Sequence, residues 1–140
     1  MWPADTKILL LQKYRKCPVY RPAAGEQLPS YFYSMLDDVD RTMQYSEAIR
    51  QCVNEVPVSN PYIVDVGVGT GLLSALALFH NPRAIVVGVD VNEGALRASR
   101  KVMQDLGFSN RFYGVTVSAN MNSAALLKKI QSSIHSTDST

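Results

Sequence analysis

Residues 62–73, Tyr-Ile-Val-Asp-Val-Gly-Val-Gly-Thr-Gly-Leu-Leu, constrain this chain more than any other stretch. Tyr62 to Val66 is short, apolar and β-branched, the composition of a strand. It breaks into glycines at 67, 69 and 71, then into the helix-forming run Leu72-Leu73-Ser74-Ala75-Leu76-Ala77-Leu78. Strand, glycine turn, helix is the opening of a nucleotide-binding α/β unit. Glycines permit positive φ and let a ligand approach the backbone without meeting a Cβ, and the helix start offers unpaired N–H groups.

Spacing narrows the ligand. A dinucleotide fingerprint places glycine or alanine three residues after the second glycine; here the third glycine comes after two, and Leu72 occupies the small-residue position. Asp65 would repel a phosphate and suits a ligand with cationic groups. D-x-G-x-G-x-G resembles motif I of the S-adenosylmethionine (SAM)-dependent methyltransferases, whose cofactor carries an ammonium and a sulfonium. The second strand run, Ala84 to Val89, ends in Asp90, nineteen residues after Gly71. A carboxylate leaving that strand is placed to accept both hydroxyls of a ribose, which NAD and SAM share. Asp90 supports the unit without choosing between them.

Composition closes other classes. With 140 residues, 46% hydrophobic and 19% charged, the chain has the make-up of one globular domain at most. A net charge of +2 gives no argument for nucleic acid or an anionic membrane. Cys17 and Cys52 have no metal-ligand spacing and fit a reducing compartment. Ile8-Leu9-Leu10-Leu11 is too short for a signal core or a membrane span. The expectation is a soluble chain of the cytoplasm or nucleus.

In chain order, residues 1–30 form a basic, proline-rich arm, 31–131 the nucleotide-binding unit and 132–140 a polar, frayed tail. A helix is expected from Thr42 to about Val53, with Met43, Ala48, Ile49 and Val53 on its buried face. Pro57 and Asn60-Pro61 mark a turn. Asn92 caps a helix from about Glu93 to Leu106, and Gly107 ends it. Phe112 to Val117 is a third strand, and Ser123 to Ile130 a last helix. His80, beside Asn81-Pro82, and His135 read as surface residues. Three strands are fewer than a doubly wound sheet carries, so the expected fold is α/β, an incomplete Rossmann-like unit with its first three parallel strands.

The segment before the first strand, Met35-Leu36-Asp37-Asp38-Val39-Asp40-Arg41-Thr42 with Tyr45 and Ala48-Ile49-Arg50, resembles the corresponding helix of protein arginine methyltransferases, whose pattern is M-L-x-D-x-x-R followed by tyrosine. M-L-D-D-V-D-R is closer to their tandem-domain, monomethylating branch. Joined to D-V-G-V-G-T-G-L-L-S and Asp90, the resemblance covers roughly residues 30–120.

That resemblance implies SAM as cofactor and an arginine-containing protein as substrate. By position, Arg41 would hold the methionine carboxylate, for which its fork is the right shape. Met35 would pack near the sulfonium, and Phe32 falls where relatives carry a histidine or aromatic beside the cofactor. Gly67 would pass close to the ligand within the loop Gly67, Gly69, Thr70 and Gly71, supported by Asp65. Asp90, with Val91 beside it, would take the ribose, although many relatives have glutamate there. Relatives also place an acid past the third strand for the adenine amino group. That position falls near Ala119, where only Ser118 and Asn120 offer polar atoms.

The resemblance implies a further pair of glutamates that clamp the substrate guanidinium. After Asp105 the only acid is Asp138. The chain therefore reads as the cofactor-binding part of an arginine methyltransferase, inactive alone. Two other readings stay open: a non-catalytic homologue that binds a partner, as a homo- or hetero-oligomer, and a small-molecule enzyme on the same unit.

Overall fold

A computed structural model of the chain describes residues 34–35 and 37–138. The expected arm over 1–30 and Phe32 lie outside the described residues. Helix α1 spans Val39–Glu55, strand β1 Tyr62–Val66, helix α2 Leu72–His80 and strand β2 Ile85–Asp90. Helix α3 (Glu93–Leu106), a 3-10 turn (Ser109–Arg111), strand β3 (Phe112–Thr116) and helix α4 (Ser123–Asp138) follow.

Local chemistry sets most of these boundaries. The Asp38 carboxylate accepts the Arg41 N–H at 3.0 Å and starts α1; Asn92 does the same for α3 through the Ala95 N–H. Gly107, left-handed at φ 81°, stops α3 with its N–H turned back to the Gln104 carbonyl. Arg111 donates to the carbonyls of Leu78, Asn81 and Ala84, satisfying acceptors where α2 ends.

The three strands are parallel in the order β1-β2-β3. Val66 pairs with Val89, and Asp90 with Thr116, so all three carboxyl ends reach one margin of the sheet. Ligands of open α/β sheets bind at that margin. On one face Val86 and Phe112 meet Leu76 of α2 and Leu96, Val102 and Met103 of α3. On the other, Val87, Val89 and Val115 pack with Ile130 of α4. Alternation along β2 feeds both layers, which is why its interior is buried throughout.

Three sequence expectations need correction. The buried stripe of α1 is Thr42, Ser46 and Val53, with Ile49 packed against the core, while Ala48 is exposed and Met43 half-buried. His80 is the last residue of α2 and only 3% exposed, 2.8 Å through Nε2 from the Ser46 hydroxyl. Packing of α1 on α2 removes it from the surface. The last helix does not end at Ile130: Ile134, one turn on, packs against the second cluster, and α4 reaches Asp138.

The two outer strands end the sheet differently. The Gly67 N–H donates to the Val89 carbonyl and the Ile85 N–H to the Pro61 carbonyl. Odd residues of β1 therefore face β2, and Tyr62, Val64 and Val66 turn their peptide groups outward. Those three are also 51%, 45% and 74% exposed. On β3 the Val117 N–H faces Asp90, so Gly114 turns outward, and its carbonyl accepts the Arg100 guanidinium at 2.9 Å.

Candidate cofactor site

At the carboxyl ends of β1 and β2 lies a cavity of ≈ 400 Å³, within the usual range for small-molecule sites. Its floor is the loop from Gly67 to Thr70, one wall the start of α2, and its roof Arg41 and Tyr45 of α1 with Met35. The loop adopts left-handed backbone at Gly67, Gly69 and Gly71, with φ of 74°, 55° and 87°. A Cβ at Gly67 would meet nothing within 4 Å, so the peptide stands open. Gly71 differs: a Cβ there would lie 2.9 Å from Met103 Cε and 3.2 Å from Ser99 Cβ. The third glycine serves the packing of α2 on α3.

Backbone bonds hold the loop down. The N–H groups of Gly67 and Val68 both donate to the Val89 carbonyl. The Asp90 carboxylate accepts the Gly69 N–H through Oδ2 and the Asn92 N–H through Oδ1, each at 2.9 Å. Asp90 thus latches the loop to the β2–α3 turn, a duty not foreseen from its spacing. Each oxygen retains a lone pair for a ligand.

Asp65, the fourth residue of β1, faces its neighbour Asp90 across the cavity. The Ser74 hydroxyl donates to its Oδ2 at 2.6 Å. Gly71, at the start of α2, has no side chain with which to cap the helix, so Asp65 reaches across the loop to serve that end. Burial raises the Asp65 carboxyl above the ordinary range; the bond from Ser74 works against that rise, and the charge of Asp90 adds to it.

Of the residues singled out by sequence, Met35, Arg41, Asp65, Gly67, Gly69, Thr70, Asp90 and Val91 line the cavity. Gly71 and Ser118 do not; the Ser118 hydroxyl instead accepts the Asn120 N–H at 3.3 Å, within its own turn. Asn92, Leu72 and Leu73 join the lining, as does Tyr45, whose ring lies 5.2 Å beneath the Arg41 guanidinium. Arg41 and Tyr45 are one helical turn apart, so that contact was available from their i, i+4 spacing. Ser74 gave no such signal. Among the described residues no group of three or more histidines, cysteines or acids is placed to hold a metal.

Residues 40–130 match the methyltransferase small domain. The chain belongs to that family. It is 32% identical over 84 residues to protein arginine N-methyltransferase 7 of Danio rerio, a match that covers 59% of this chain and 12% of the relative. Ribosomal RNA small subunit methyltransferase C of Buchnera aphidicola is 39% identical over 66 residues, 47% of this chain and 18% of that one. Protein arginine N-methyltransferase 1 of Saccharomyces cerevisiae is 35% identical over 77 residues, 55% and 21% of the two chains. The matched stretch therefore spans only 12% to 21% of the length of these three relatives.

Solved structures agree on the fold. The delta-N METTL16 methyltransferase domain superposes with a TM-score of 0.52 at 13% identity, over 91% of this chain and 58% of that one. The plantazolicin methyltransferase BpumL in complex with SAH gives 0.50 at 15% identity, over 86% and 46%. The methyltransferase family and its SAM-type cofactor agree with the sequence expectation.

Proposed function

We propose that this chain is the SAM-binding portion of a protein arginine N-methyltransferase. The observation that supports this reading best is the meeting of α1 with the glycine loop. Arg41, from the M-L-D-D-V-D-R segment, lines the same cavity as Asp65 and Asp90. The donor set suits the cofactor: a carboxylate for an ammonium, a guanidinium fork for a carboxylate, and Asp90 for a ribose diol. Bound SAM would supply an electrophilic methyl group; the chain's own residues would hold and orient it.

In this reading the chain transfers no methyl group unaided, since it has no acid between Asp105 and Asp138 to clamp a guanidinium. The likeness to two arginine methyltransferases favours a protein substrate; the 39% identity to a ribosomal RNA methyltransferase favours RNA as the second reading. A non-catalytic, partner-binding role is the third, supported by the exposed residues Tyr62, Val64 and Val66 along the outer edge of β1.

Calorimetric titration of the purified chain with SAM, and separately with NAD, tests the cofactor. Saturable SAM binding without an NAD response is expected. Asp90→Ala should weaken it by ~1.5–3 kcal/mol, the scale of a hydrogen bond to a charged group, and an unchanged affinity would remove Asp90 from the site. Label transfer from SAM to an arginine-rich peptide, lost in Arg41→Ala, would overturn the claim of inactivity. Transfer to ribosomal RNA would overturn the substrate.

A further inference from the structure

Ser74 is buried on the first turn of α2 and does not itself line the cavity. Its hydroxyl is nonetheless 2.6 Å from Asp65 Oδ2, and its main-chain N–H faces the same carboxylate. We infer that Ser74 is a positioning residue for the cofactor, holding the Asp65 carboxylate turned toward the cavity as an anion for the cationic end of SAM. The inference rests on the SAM reading above and adds the group on which the anion depends.

The geometry gives the reason such a group is needed. Asp65 shares its cavity with a second carboxylate, Asp90, and two half-buried like charges side by side each need donors to ionise freely. Asp90 receives two backbone N–H groups. Asp65 lies in the middle of a parallel strand pair whose peptide groups are committed to β2, so its donors must come from α2. The helix start supplies both a hydroxyl and the positive end of a dipole. The other titratable groups lining this cavity are Arg41 and Tyr45 of α1, and Arg41 is engaged over the Tyr45 ring. Within α2 the only titratable side chain is His80, at the opposite end.

Function would then depend on acidity in a defined sense. A protonated Asp65 offers no charge to an ammonium, so SAM affinity falls as pH drops through the Asp65 titration. Removing the Ser74 hydroxyl removes a bond that favours the ionised form, so the fall must begin at a higher pH.

The test compares wild type, Ser74→Ala, Ser74→Thr, Asp65→Asn and the Ser74→Ala, Asp65→Asn double variant. Alanine is a good helix former and smaller than serine, so folding of Ser74→Ala, checked by circular dichroism, is expected to persist. SAM affinity by calorimetry should fall about tenfold in Ser74→Ala near neutral pH, the scale of a charged hydrogen bond, and its acid limb should move upward. Ser74→Thr should restore both. In the Asp65→Asn background Ser74→Ala should change affinity little, because the effect runs through one carboxylate.

Carbon-detected NMR titration of Asp65 in the ligand-free chain gives a second readout. It should show the carboxyl titrating at higher pH in Ser74→Ala. An unmoved Asp65 titration overturns the inference whether or not SAM binds. So does additivity of the two substitutions in SAM affinity. Absence of SAM binding by wild type alone overturns the proposed function instead, leaving the titration to judge Ser74.

Discussion

At the scale of residues, Asp65 pits stability against binding. Burial and the neighbouring Asp90 raise its carboxyl above the ordinary range, so the folded chain takes up that proton at higher pH than the unfolded chain does. Ionised Asp65 therefore opposes folding. Its contribution is most favourable below the unfolded value and is lost as pH rises through the folded one. Asp65→Asn keeps an oxygen for the Ser74 hydroxyl and abolishes the charge. Without ligand it should melt at a higher temperature than wild type near neutral pH, with the gap closing in acid, while binding SAM more weakly. Thermal melts across pH decide this; a variant less stable than wild type at neutral pH would refute it.

Elements were legible in the sequence where their signals are local. Asn92 and Gly107 bracket α3 because a cap acts within one turn of its helix, and the β1–loop–α2 unit is read from contiguous residues. What stayed hidden joins distant segments. Ser46 and His80 are separated by 34 positions, and the side chain reading as exposed becomes buried only when α1 lies on α2. Arg111 belongs to the same class. It donates to Leu78, Asn81 and Ala84, some thirty positions upstream, and its ring partner is Phe108 at 5.1 Å. Partial burial lowers its affinity for the proton. A planar fork serves three carbonyls that a single ammonium cannot, so Arg111→Lys should recover little of what Arg111→Ala loses. We expect Arg111→Ala to lower stability by ~1.5–3 kcal/mol by denaturant unfolding. A loss near zero would show that water replaces the guanidinium there.

For the molecule as a whole, the described sheet is asymmetric in what it leaves bare. Tyr62, Val64 and Val66 present both exposed side chains and peptide groups that no strand among the described residues pairs, at the outer edge of β1. Such an edge is a template for another strand. The purified chain should therefore self-associate as its concentration rises, and Val64→Lys should suppress this by placing a charge at the centre of the edge. Sedimentation velocity over a concentration series reads the outcome; a wild-type chain that stays monomeric throughout would rule it out. That a three-stranded sheet would leave an edge exposed was readable from its missing strands, but which strand forms it was not, because that depends on the order β1-β2-β3.

The Arg100 bond to Gly114 gives that asymmetry a direction. An assembly that grows by strand addition needs two receptive margins per unit, one to receive and one to offer. Here one acceptor at the centre of the far margin, the Gly114 carbonyl, is already engaged by a guanidinium of its own chain. Two copies meeting along β1 about a two-fold axis would cover each other's more open edge, which favours a pair over a longer series. Arg100 is thus placed to act as a chain terminator in the polymer chemist's sense, and Arg100→Ala is expected to carry association past a pair in the same sedimentation series, whereas an unchanged species distribution would deny it that part.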